Sequence, residues 1–272
     1  IRSSSPISLR RWTTCSPEMI VLRSALFLLG VVLWTAVFGS AVALASIAPL
    51  ENRFRLVWHY RRGFMWMTEH ILGITCEVKG RENLPTEPAI ILAKHQSAWE
   101  TVALMDLLPE HVYCVFVLKQ ELLRVPFFGW GLAALQMISI DRAAGRDALN
   151  LVVEQGSDRL RRGFWIIIFP EGTRVAPGQT RRYKQGGAYL AAHTGAKVVP
   201  VAHDAGELWP RQAFLKRPGK VTVSIGPVIE TTGLSQEEIN ARTEAWIEAE
   251  MRRISPHRYR NVRAGRSTPA PA

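Results

Sequence analysis

Hydrophobic and polar positions divide the chain into three regimes. From Ser24 to Leu50 run 27 residues without a charge, SALFLLGVVLWTAVFGSAVALASIAPL. As a helix that run is ~40 Å long, against a hydrocarbon core ~30 Å thick. Pro49 ends it, and Glu51, Arg53 and Arg55 follow. The pattern predicts a membrane-spanning helix. A secretory signal, with the small residues Ala43, Ala45 and Ala48 near its end, is the alternative. Residues 53–74 interleave aromatics and Met with Arg55, Arg61 and Arg62. They read as an interfacial helix whose rings sit at headgroup level and whose Arg side chains reach phosphates. The alternative is an amphipathic helix packed on the domain.

From about residue 75 short apolar runs alternate with helical stretches. The runs predict strands at Cys76–Lys79, Ala89–Ala93, Tyr113–Leu118, Met137–Ile140, Trp165–Phe169, Lys197–Ala202 and Val221–Ile225. Helices are predicted at Ala98–Leu108, Arg146–Arg161, Gly186–His193 and Gln236–Ile254, the last opened by the capping box Ser235-x-x-Glu238. Strands separated by helices imply an α/β fold: a mainly parallel or mixed sheet flanked by helices, carrying an N-terminal membrane-anchoring helical segment. The division is 1–18, a non-native or disordered leader ahead of Met19; 19–74, the anchor of transmembrane plus interfacial helix; 75–255, the catalytic domain; and 256–272, a basic disordered tail ending STPAPA.

Charge narrows the partners. The chain of 272 residues has 34 Lys+Arg against 23 Asp+Glu, a net charge of +11. Such a balance suits phosphate-rich partners or an anionic membrane surface. No recognition motif for nucleic acid accompanies it, so nucleic acid is set aside. Four Arg (53, 55, 61, 62) follow the apolar run, against Arg23 just before it, which places the domain on the cytoplasmic side. The 3 Cys are widely spaced and form no His/Cys cluster, so neither a disulfide framework nor a metal site is expected.

The chemistry concentrates at strand ends, where open α/β sheets bind ligands. In Ala89-Ile-Ile-Leu-Ala-Lys-His-Gln-Ser-Ala-Trp-Glu100 a buried strand runs into a polar turn and then a helix. Ser97 reads as N-cap with Glu100 at N3, a capping box worth about 1 kcal/mol. Glu100 can also reach back to the His95 ring. Within one helix the two would point ~140° apart, whereas a turn followed by a helix lets them meet. A carboxylate on one ring nitrogen leaves the other as a base. In Phe169-Pro-Glu-Gly-Thr-Arg174, Gly172 allows a tight turn and Arg174 offers a planar fork for phosphate. Glu171 could orient Arg174 or receive a substrate hydroxyl; a surface turn with an ion pair is the plainer reading. Lys119 and Arg142, bounding a stretch broken by Pro126 and Gly129, are further phosphate candidates. Val198-Val-Pro-Val201 reads as a buried strand.

Taken in order, these segments resemble the glycerolipid acyltransferase family, whose best-known branch acylates 1-acyl-sn-glycerol 3-phosphate. That family carries a His-x4-Asp motif, a Lys…Pro…Gly…Ile-Asp-Arg stretch, a Phe-Pro-Glu-Gly-Thr-Arg block and a Val-Pro-Val-like strand. All four occur here between His95 and Val201, with Glu100 in place of the commoner Asp. The resemblance implies His95 as base and Glu100 as its partner. It implies Lys119, Arg142, Glu171, Gly172, Thr173 and Arg174 as acceptor-binding. It implies an acyltransferase that uses acyl-CoA or an acyl carrier protein thioester, with no other cofactor and no metal, at a bacterial inner membrane. The product would be phosphatidic acid for phospholipid biosynthesis. A lyso-ornithine lipid or lysophospholipid is an alternative acceptor, and a non-enzymatic protein binding anionic lipid is the alternative from another class.

Overall fold

A computed structural model describes residues 16–259. The chain forms helix α1 (Pro17–Leu44), α2 (Leu50–His70), β1 (Ile74–Lys79), β2 (Ile90–Ala93), α3 (Trp99–Asp106), β3 (Cys114–Lys119), α4 (Phe128–Ala134), β4 (Ile138–Ile140), α5 (Arg146–Arg161), β5 (Trp165–Ile168), α6 (Gly186–Thr194), β6 (Val198–His203), β7 (Gly219–Ile225), α7 (Gln236–Ile254) and α8 (Pro256–Tyr259). All seven strand runs read from the sequence are present within one or two residues, joined in one sheet of order β1-β7-β6-β2-β5-β3-β4. Every pairing is parallel except β6 with β7. The sheet is therefore mixed and mainly parallel, as the alternation of strands and helices implies.

The apolar runs become central strands because both faces of the sheet are covered. All of Ile90–Ala93, Trp165–Ile168 and Val198–His203 is buried. Helices α1 to α4 pack on one another, and α5 to α7 pack on one another and on β4 to β6. The parallel strands β2, β5, β3 and β4 all end on the same edge, which is where the chemistry-bearing loops emerge.

Helix α1 starts two residues before Met19, with Ser16 as its N-cap. Residues 1–15 of the expected leader and 260–272 of the expected tail lie outside the described residues. Together with the 3-10 turn Ala45–Ile47, α1 is long and apolar enough to cross a membrane. It is also docked on the domain at both ends. Near its start, Ser24 and Phe27 are fully buried; Ser24 Oγ accepts the Lys216 N–H, and the Phe27 ring packs edge-on against Trp209. Near its end, Gly39 sits so close to the Phe127 carbonyl that an added Cβ would be 2.4 Å from the oxygen. The outer face keeps Leu22, Leu26, Leu29, Leu33 and Val37 exposed, a stripe at helical spacing.

Helix α2 corrects part of the lipid-facing reading. Phe54, Val57, Phe64 and Met67 are buried in the core. Arg61 is buried too, donating to the Met105 and Leu108 carbonyls, with Asp106 3.7 Å away. Arg53 donates to the Ala45, Ser46, Ala48 and Ala134 carbonyls, so it caps the ends of α1 and α4. Neither arginine is available to lipid phosphate. Of the four, Arg55 is exposed, paired with Glu51, and Arg62 stays at the surface against the Trp58 ring.

Helix α4 is an addition to the sequence reading, which took Pro126 and Gly129 as breaks. Pro126 ends the preceding turn, and the small residues serve close approach. A Cβ on Gly129 would be 2.3 Å from the Leu123 carbonyl, and Gly131 lies against the Gly39 Cα of α1.

Candidate active site

The loop after β2 turns through Gln96 and Ser97 before α3 begins at Trp99, one residue later than the sequence suggested. Ser97 Oγ accepts the Trp99 N–H at 3.2 Å rather than that of Glu100. The return half of the capping box is present. Glu100 Oε1 accepts the Ser97 N–H at 2.8 Å and the Gln96 N–H at 2.9 Å. The same oxygen lies 2.8 Å from His95 Nδ1. Turn and helix together thus bring base candidate and carboxylate into contact, with Glu100 fully buried. Among the described residues His95 Nε2 has no hydrogen-bond partner. The ring stacks on Phe169 at 4.0 Å between centroids, and Phe169 stacks in turn on Phe116.

Burial alone would push the Glu100 carboxyl up. The imidazoles of His203 and His95 and the turn N–H groups more than offset it, and its pKa falls below the ordinary carboxylate value. His203 was not singled out from sequence. It is buried at the end of β6, 4.0 Å from Glu100 Oε1. Its Nδ1 accepts the Ala205 N–H, so its Nε2–H donates to the Lys94 carbonyl at 2.7 Å. Burial lowers its pKa, against the pull of the Glu100 carboxylate.

The loop after β5 is stitched to the first. Gly172, at φ +69°, closes the turn in the left-handed region that favours glycine. Glu171 Oε2 accepts the His95 N–H at 2.7 Å, and the Val175 N–H donates to the His95 carbonyl at 2.7 Å. Glu171 Oε1 lies 2.7 Å from Lys94 Nζ. Glu171 is therefore fully buried, with Oε2 on the His95 N–H and Oε1 ion-paired to Lys94, and it holds the His95 main chain. Burial pushes its carboxyl up to about 7 despite Lys94. Lys94 also contacts Glu248 Oε1 at 2.7 Å, and Tyr183 Oη donates to the same Glu248 oxygen. Burial would lower the Lys94 pKa, but Glu171 and Glu248 hold it above the ordinary value, so the ammonium stays charged.

Thr173 and Arg174 follow in the same turn, partly exposed. Among the described residues the Arg174 guanidinium has no partner; its carbonyl accepts from Arg211. Lys119 and Arg142 stand at the ends of β3 and β4, on the same sheet edge but two and three strands from β2, about 10 and 14 Å at ordinary strand spacing. Lys119 is exposed and pairs with Glu121, while the side chain of Arg142 lies outside the described atoms. A cavity of about 140 Å³ beside the site is lined by Val117, Ile140, Phe169, Pro170, Gly172 and Lys184 among others. A second cavity, about 110 Å³ and almost wholly apolar, lies between α1, α2, α3 and α4. Phe116 on its wall connects it, through Phe169, to the His95 ring.

Residues 75–204 match the family model described as Acyltransferase. The chain is 41% identical over 244 residues to a 1-acyl-sn-glycerol-3-phosphate acyltransferase of Pseudomonas aeruginosa, covering 88% of this chain and 94% of that protein. It is 30% identical over 232 residues to the Saccharomyces cerevisiae protein of the same name, covering 82% and 73%. Its fold is similar to the crystal structure of the 1-acyl-sn-glycerophosphate (LPA) acyltransferase of Thermotoga maritima, with a TM-score of 0.72 at 24% identity over 90% of this chain and 97% of that one.

Proposed function

Because the chain belongs to the acyltransferase family, we infer that it transfers a fatty-acyl group from a thioester to the sn-2 hydroxyl of 1-acyl-sn-glycerol 3-phosphate, making phosphatidic acid. The observation that carries the reaction is His95, with Nδ1 on Glu100 and Nε2 left open at a strand end. In this reading Nε2 takes the acceptor hydroxyl proton as the alkoxide oxygen attacks the thioester carbonyl. The C–S bond breaks, the new ester bond stays, and the thiolate leaves with the proton returned from the imidazolium. Glu100 fixes the tautomer and steadies the imidazolium. General-base help of this kind contributes about 10²–10⁴ in rate. Arg174 is read as the phosphate holder, since its guanidinium is uncommitted one residue before the strap Val175 N–H to His95 carbonyl. The acyl chain of the donor is read into the apolar cavity between α1 and α4. Acyl-CoA or acyl carrier protein serves as co-substrate, and no other cofactor is needed.

The protein associates with membranes through its apolar N-terminal helix. Docked at both ends, α1 is read as embedding its exposed leucine stripe while its inner face stays on the domain. The same reading puts the domain on the cytoplasmic side of a bacterial inner membrane. Purified protein, acyl-CoA and a panel of lyso-acceptors scored by product mass test the assignment. Phosphatidic acid from the lysophosphatidic acid arm is the expected result. Acylation of lyso-ornithine lipid or a lysophospholipid instead would overturn the acceptor.

A further inference from the structure

Behind the catalytic loop lies a set of charges that the acyl-transfer step does not touch. Lys94 is fully buried between two carboxylates, Glu171 on one side and Glu248 on the other, each at 2.7 Å. Glu248 belongs to α7, beyond the segment 75–204 that matches the family model. Tyr183, ahead of α6, donates to Glu248 at 3.1 Å. The chain of contacts continues from Lys94 through Glu171 to the His95 N–H. A buried ion pair of this kind is a poor source of stability, because desolvation consumes most of the Coulombic gain. Here it joins the C-terminal helix to the main chain of the base.

We propose that Lys94 and Glu248 are positioning residues: Glu248 holds Lys94, Lys94 holds Glu171, and Glu171 holds the His95 main chain, so the C-terminal helix is part of what aims the base. The inference rests on the reading of His95 as base. The titratable and charged groups around Glu171 and its Lys94–Glu248 partners are Lys94 just after β2, Glu244 and Glu248 from α7, Arg182 and Tyr183 ahead of α6, and Tyr259 from α8. Removing the Glu248 charge withdraws a negative neighbour from Glu171, which favours its deprotonated, His95-holding form at lower pH.

The test uses full-length protein in detergent with lysophosphatidic acid and acyl-CoA, read as kcat, both KM values, a pH profile and Tm. Glu248→Gln keeps shape and removes charge. The expected result is a drop in kcat of about fivefold or more, both KM values within about twofold, and an acidic limb moved to lower pH, since positioning acts on turnover rather than uniform binding. Lys94→Met alone strands two buried carboxylates and is expected to unfold, so Lys94→Met/Glu248→Gln is measured with it. The double variant regains stability but not turnover if Lys94 positions Glu171. Wild-type kcat and pH profile in Glu248→Gln, or full turnover in the double variant, would overturn the proposal. His95→Ala is assayed alongside: if it keeps turnover the reading of the base fails and the proposal falls with it, whereas loss in His95→Ala with none in Glu248→Gln sinks the proposal alone.

Discussion

Glu100 Oε1 is shared by three donors, the His95 ring at 2.8 Å and the Gln96 and Ser97 N–H groups of the turn between them. One oxygen therefore shapes the loop and orients the imidazole, and substitution can separate the two tasks. A Gln keeps an accepting oxygen but carries no charge for the imidazolium. Glu100→Gln should lower kcat by about 10²-fold, comparable with His95→Ala, within the range of general-base help. Its Tm should move by only a few degrees, because the turn N–H groups keep their acceptor. Steady-state rates set against thermal melts across the two variants decide it, and a Gln variant with wild-type turnover would leave the carboxylate as a cap alone. Glu100→Asp withdraws the carboxylate by one methylene from all three donors in a fully buried site, so it should lose both turnover and stability.

Arg174 bears on acceptor binding. Its guanidinium is uncommitted among the described residues, and a bidentate phosphate contact is not reproduced by Lys. Arg174→Lys and Arg174→Ala should raise the lysophosphatidic acid KM about tenfold or more, equivalent to ~1.4 kcal/mol. The acyl-CoA KM should stay within about twofold. Equal rises in both would remove Arg174 from the phosphate.

Asp204 gives a pH signature of the fold that is separate from turnover. It accepts the Thr222 N–H at 2.8 Å, and burial pushes its carboxyl up to about 6. A folded-state pKa above the unfolded value means that the folded protein binds more protons between about pH 4 and 6. The contribution to stability is then full below that window and lost as pH rises through it. Asp204→Asn keeps an acceptor for Thr222 and has no such slope. The difference in Tm, wild type minus variant, should rise as pH falls from 7 to 4. A constant difference would mean that Asp204 ionises no differently in the folded protein.

The sheet was legible because β2, β5 and β6 are buried on both faces, so their sequences are apolar runs, broken only by His203 at the end of β6. The start of α7 came from the Ser235–Glu238 capping box, which is present as read. Helix α4 was hidden because Pro126 and Gly129 look like breaks, whereas Gly129 and Gly131 act as close-packing sites. At the site, His95 and Glu100 could be paired because the sequence reads as a local turn running into a helix, and the family resemblance gave them their roles. Lys94 stood next to His95 in plain view at the end of an apolar run, but its partner Glu248 is 154 residues away. No pattern along a chain marks an ion pair of that separation. Arg61 departs from its lipid-facing reading for the same reason: a basic residue beside an apolar helix suits lipid phosphate as well as it suits the Met105 and Leu108 carbonyls it binds.

The apolar cavity offers a test that touches neither base nor phosphate site. Val42 of α1 is buried on its wall, which Val102 and Met105 of α3 also line. Val42→Phe adds bulk inside a cavity of about 110 Å³. Overpacking of this sort costs about 1–3 kcal/mol in a filled core, and less where empty volume can take the ring. If the donor chain lies there, the larger side chain shortens the room along its path. Long-chain acyl-CoA should then show a higher KM and lower kcat/KM, medium-chain acyl-CoA should be little changed, and the lysophosphatidic acid KM should stay put. Measured over a series of donors of increasing length, the profile should shift toward shorter chains. A uniform fall at every length would instead mean that the substitution disturbs α1 docking and that the chain lies elsewhere.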